Sequence, residues 1–171
     1  MCRNNSINSK MKRLLLTAVL GLIATVAVYA QGATPRPRIY IAFHWHMHQP
    51  IYYPYESVVA TNNANRFSFS LNHVHTSRSG PYTTWPRDAV MRGVNAGFGN
   101  FGAQVSFSGS LIENLDNLAA AGVGFKNWKA PWNLIKNQNT VLGNPRIDMV
   151  GFGYHHPLMP FLDYNDIRRQ I

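Results

Sequence analysis

The sequence predicts an α/β fold assembled from parallel βα units. Three observations carry this. Strand-like stretches occur at "RIYIAFHWH", "AQVSFSGS" and "PRIDMVGFG", a helical stretch follows each, and polar residues crowd every strand end. Ligands of such folds bind at the carboxyl ends of strands, so "HWHMHQP", "SFSGS" and "GFGYHHP" are the places to look for chemistry. A complete (β/α) barrel takes about 250 residues. The chain has 171, so the expectation is an incomplete (β/α) barrel, a truncated piece of a larger catalytic domain.

Residues 1–30 read as upstream residues and a signal peptide. "MKRLLLTAVLGLIATVAVYA" opens at Met11 with Lys12 and Arg13, runs apolar from Leu14 to Val28, and ends on small residues at Val28 and Ala30. The apolar run falls short of the ~20 residues a spanning helix needs, so the expectation is export with cleavage near Ala30 and no stable membrane insertion afterwards. Residues 31–37 read as a stiff linker, and residues 38–171 as the truncated N-terminal part of the larger domain.

Export changes the meaning of charge and cysteine. Losing Arg3, Lys10, Lys12 and Arg13 takes the 16 basic residues to 12, which against 7 acidic ones leaves +5. That excess is scattered, which argues against a nucleic-acid partner. Cys2 leaves with the leader, so the mature chain has no disulfide and its fold rests on its core, a metal or an assembly.

Along the domain, the first strand is expected from Arg38 through His46, and residues 49–83, rich in Tyr, Pro, Asn, Ser and Gly without a sustained period, as one long loop. Thr84 caps a short helix carrying Pro86 in its first turn, with Ala89, Val90, Met91 and Val94 at helical spacing. The second strand spans 103–110. Ser110 and Glu113 form a capping box that starts "LIENLDNLAAAG", closed by Gly122. A further helix is expected from about Trp132 to near Gly143, then the third strand, and the first turns of a helix in "DYNDIRRQI".

His44, His46 and His48 alternate, so they share one strand face. Three readings stay open: a metal site, contacts to a polar substrate, or satisfied structural histidines. Same-face neighbours sit about 6.6 Å apart along a strand, so the outer rings must bend inward to share one ion. His155 and His156 are adjacent, so at most one of them faces the same pocket. Among carboxylates, Glu113 is accounted for by its cap, and Asp148, inside an apolar strand, is the best polar candidate. No nucleophile stands beside a proton donor. "IYYPYE", Trp85, Trp128 and Trp132 supply flat apolar faces of the kind that suit sugar rings.

"FHWHMHQPIYYPYE", "VSFSGSLIENL" and "IDMVGFGYHHPLMP", in that order, resemble the N-terminal part of glycoside hydrolase family 57. His48-Gln49-Pro50 is similar to the family's first motif, and "RIDMVGFGYHHP" to its second, with Asp148 standing where the family more often has Glu. The resemblance implies a seven-stranded (β/α) barrel, of which this chain supplies the first three or so units. It implies retaining hydrolysis or transfer of α-glycosidic bonds in starch-like glucans, with no catalytic metal and no cofactor. It implies substrate contacts from His46, His48, Gln49, Asp148, Tyr154, His155 and His156. Retention uses two carboxyl groups about 5–5.5 Å apart; in the family these belong to later motifs, so no catalytic residue is expected here and the chain alone should be inactive. Two rivals remain: a zinc-dependent polysaccharide deacetylase-like hydrolase, in which His44, His46 and His48 converge on an ion with Asp148, and a non-catalytic carbohydrate-binding remnant.

Overall fold

A strand exists only where a neighbour supplies partners, and that rule sets the centre of this molecule. The computed structural model describes residues 9–31 and 39–171. The linker, apart from Gln31, and the first eight residues lie outside the described residues. Contacts divide the chain into residues 1–41 and 42–171. In the first, helix α1 (Ser9–Gln31) carries the apolar run; no described helix is long and apolar enough to cross a membrane.

The second unit holds a three-stranded parallel sheet in the order β1 (His44–Met47), β2 (Ala103–Phe107), β3 (Ile147–Met149). Its α/β character and parallel pairing are those expected. The first strand is shorter than the expected 38–46, because β2 offers partners only from Gln104, opposite His44. Ile39, Tyr40 and Ile41 are unpaired and 76–87% exposed.

Residues 49–83 are not one loop. They contain α2 (Val58–Asn63), α3 (Leu71–Thr76) and α4 (Ser79–Tyr82). Ser57 and Ser70 cap the first two by accepting from Ala60 N and His73 N. Helices of four to six residues are too short to print a period. Next comes α5 (Trp85–Asn95), placed as its sequence predicts.

After β2, α6 (Gly109–Ala120) starts two residues earlier than the expected capping box. Its cap is Ser108, whose hydroxyl accepts from Leu111 N; Ser110 and Glu113 are engaged elsewhere. Leu111, Leu115 and Leu118, at i, i+4 and i+7, are fully buried and pack with Val105, Met47 and Ile147 from the inner face of the sheet. Then α7 (Ala130–Ile135) stops well before Gly143, which at φ +86 turns the chain back so that Asn139 pairs with Pro145 ahead of β3. Helix α8 (Tyr164–Gln170), capped by Asp163, follows.

Candidate functional site

The pleat separates two faces. Met47, Ala103, Val105 and Ile147 go into the core, and His44, Gln104 and Asp148 form one cross-strand row on the other face, followed by His46 opposite Ser106. Adjacent histidine rings stand 6.4 Å (His44 to His46) and 6.3 Å (His46 to His48) apart, the spacing the strand rise imposes.

Serines of the neighbouring segment anchor these rings. His44 Nε2 and His46 Nδ1 lie 3.0 and 2.8 Å from the Ser106 hydroxyl, and His48 Nδ1 lies 2.9 Å from that of Ser108. Both serines are fully buried. The opposite ring nitrogens of His46 and His48 therefore remain for something outside the sheet. Among the described residues, no group of three or more His, Cys, Asp or Glu is arranged to hold a metal ion.

His156 closes the cluster. Its ring is 4.5 Å from His46 and 4.7 Å from His48, and Phe152 stands 4.6 Å from both His46 and His156. The chain reaches this point through a left-handed backbone at His156, φ +60, a conformation that costs a non-glycine residue about 1–2 kcal/mol. Burial first, then repulsion from His156 and from its histidine neighbour, pushes both His46 and His48 below the ordinary imidazole value of 6.5. Neutral rings accept and donate hydrogen bonds, which suits hydroxylated ligands.

Beside the cluster lies a cleft of about 780 Å3 lined by Trp45, His46, His48, Gln49, Tyr82 and Trp85, with Arg78 and Arg92. The Gln49 amide is fixed by Tyr82 and Tyr52: its Nε2 donates to the Tyr82 hydroxyl at 2.9 Å, and the Tyr52 hydroxyl donates to its Oε1. One amide N–H and one lone pair stay available. Trp85 is 63% exposed, and its indole occupies the space where a side chain on Gly80 would sit.

Of the residues singled out from sequence, His46, His48, Gln49 and His156 come together. Asp148 shares their sheet face but sits level with His44, one row back, where Gln104 Nε2 donates to it at 3.4 Å. Tyr154 and His155 go elsewhere. The Tyr154 hydroxyl donates to Glu113 at 2.6 Å, raising the phenol to about 12, and the ring lines a separate pocket against Gly109. His155 packs edge-on against Tyr154, with its backbone N–H on Gln170. Ser106 and Ser108 lie in "SFSGS" and Phe152 in "GFGYHHP", strand ends marked by the sequence without these side chains being named as site residues; the signal for the serines is the parallel register, which sets "SFS" beside "HWH".

A family model, glycosyl hydrolase family 57, matches residues 42–171. An alpha-amylase of Niallia circulans is similar at 29% identity over 93 residues, covering 52% of this chain and 7% of that relative. The chain thus spans a small fraction of the curated relative it matches. No solved structure matches. With His46, His48, Gln49 and His156 gathered at the carboxyl end of the sheet and the family model matching residues 42–171, the chain belongs to glycosyl hydrolase family 57.

Proposed function

We propose that this chain forms a sugar-binding subsite of an exported, retaining glycoside hydrolase or 4-α-glucanotransferase acting on α-glucans. Residues 38–171 would be the N-terminal part of a seven-stranded (β/α) barrel. The nucleophile and the acid would come from residues beyond those of this chain. His46, His48 and His156 hydrogen-bond sugar hydroxyls, Gln49 adds its free amide positions, and Trp45 and Trp85 offer ring faces.

The observation that carries this reading is the convergence of His46, His48 and His156 beside an aromatic cleft. The carboxylates support its second half. Glu56 pairs with Arg66, Asp88 with Arg87, Glu113 with Tyr154, Asp116 with Trp128 and Lys129, and Asp148 with Gln104, while Asp163 caps α8 and Asp166 meets Arg169. These are all 7 acidic residues of the chain. None is among the residues that line the cleft beside His46 and His48, where a retaining pair would have to flank the glycosidic bond. A zinc-dependent deacetylase of the expected kind needs His44, His46 and His48 to converge on one ion with Asp148, whereas serines hold these three rings in a row 6.3–6.4 Å apart, and among the described residues no group of three or more His, Cys, Asp or Glu is arranged to hold a metal ion.

The test has two arms on the purified chain. Retention on immobilised amylose but not on cellulose is expected, with no reducing sugar released from amylose on long incubation. Release of sugar would show that the chemistry is already present in this chain; equal retention on both matrices would remove the α-glucan assignment.

A further inference from the structure

Ser108 and Ser110 are fully buried, so protein groups alone must settle their hydroxyl protons and lone pairs. The Ser110 hydroxyl is 2.6 Å from the Gln49 carbonyl oxygen, which can only accept, so the one Ser110 proton is committed there. The Ser108 and Ser110 oxygens are 3.1 Å apart, and with the Ser110 proton engaged this contact is a hydrogen bond only when Ser108 donates. Ser108 already accepts from Leu111 N at 3.2 Å. His48 Nδ1 stands 2.9 Å from that same oxygen, and the proton of that bond must then come from the imidazole. The chain runs from His48 Nδ1–H through Ser108 and Ser110 to the Gln49 carbonyl, and it leaves no donor idle.

We propose that Ser108 and Ser110 are positioning residues that hold His48 as its Nδ1–H tautomer, so that Nε2 presents a lone pair to the cleft and selects a ligand group that donates a hydroxyl hydrogen. Ser106 imposes no such direction: it faces His44 Nε2 and His46 Nδ1 with a single proton, so His46 adapts to a donor or an acceptor. A fixed acceptor beside an adaptable ring fits a polyol, as the face of a pyranose offers. The depressed pKa of His48 keeps the lone pair in place at neutral pH. The choice of ligand rests on the sugar-binding reading above; the tautomer does not.

The test is two-bond proton–nitrogen NMR of the 15N-labelled chain at slightly alkaline pH, with the His48 signals assigned by their loss in His48→Gln. Wild-type His48 should show protonated Nδ1 and bare Nε2. Ser110→Ala removes the acceptor of the Ser108 proton while sparing the helix cap; that proton should turn to Nδ1, and the ring should switch to Nε2–H. Maltooligosaccharide binding should then weaken roughly two- to tenfold. A wild-type Nε2–H tautomer, or an unchanged Nδ1–H tautomer in Ser110→Ala, would overturn the proposal. The wild-type spectrum decides the matter even if the variant does not fold. The expected tautomers without any maltooligosaccharide binding would sink the sugar reading and leave the serine relay standing.

Discussion

His48 follows β1 and His156 follows β3, the two outer strands of the sheet, yet their ring centroids are 4.7 Å apart. Each also meets His46. If the three act together on one ligand, His156→Ala should weaken maltooligosaccharide binding roughly two- to tenfold, the size of one neutral hydrogen bond. The double variant with His48→Ala should lose less than the two single losses combined. Additive losses, measured by calorimetry, would mean that the two rings contribute independently and do not act together.

The crowding of these rings makes a pH prediction. His46 and His48 have folded pKa values below the ordinary 6.5, through burial and then His156. A depressed folded pKa means that the neutral form supports folding: its contribution is present above about 6.5 and fades as pH falls through the folded value. Histidine ring NMR should show both pKa values rising in His156→Gln. Unchanged values there would separate His156 from the other two.

His75 sharpens the acid limb. It is fully buried, its Nδ1 donates to the Leu71 carbonyl at 2.8 Å, and its Nε2 has no hydrogen-bond partner among the described residues. Burial depresses its pKa, with Arg78 adding repulsion against the Leu71 bond, so protonation below about 6.5 favours unfolding. His75→Leu should flatten the loss of unfolding free energy between about pH 7 and pH 5 in denaturant titrations. An equally steep limb in the variant would place the acid sensitivity elsewhere.

Gly109 sits under the Tyr154 ring, whose atoms would lie 2.1–2.5 Å from an added Cβ. Gly109→Ala should therefore displace Tyr154 from Glu113, cost about 1–3 kcal/mol, and let the phenol fall from about 12 toward its ordinary 10.0. Ultraviolet titration beside a denaturation curve checks both. A stable variant with an unmoved phenol would mean that the contact is not tight.

The legible parts of this molecule are those where local pattern and pairing agree. Alternation put His44, His46 and His48 on one face, and parallel βα units put His156 at the same end of the sheet. Helix α6 was legible through Leu111, Leu115 and Leu118, but its start was not: Ser110 and Glu113 satisfy the capping rule in sequence, whereas the Gln49 carbonyl and the Tyr154 hydroxyl, both distant in sequence, claim them. The length of β1 depended on what β2 could pair with. Tyr154 was expected with the histidines; the turn from Gly153 into the left-handed His156 sends the two rings apart.

The most direct test is a proton NMR titration of the seven histidine rings with maltoheptaose. The signals of His46, His48 and His156 should move together along one saturation curve while those of His73, His75 and His155 stay still. Saturable binding that leaves all three clustered rings unmoved would contradict the assignment of this end of the sheet to sugar.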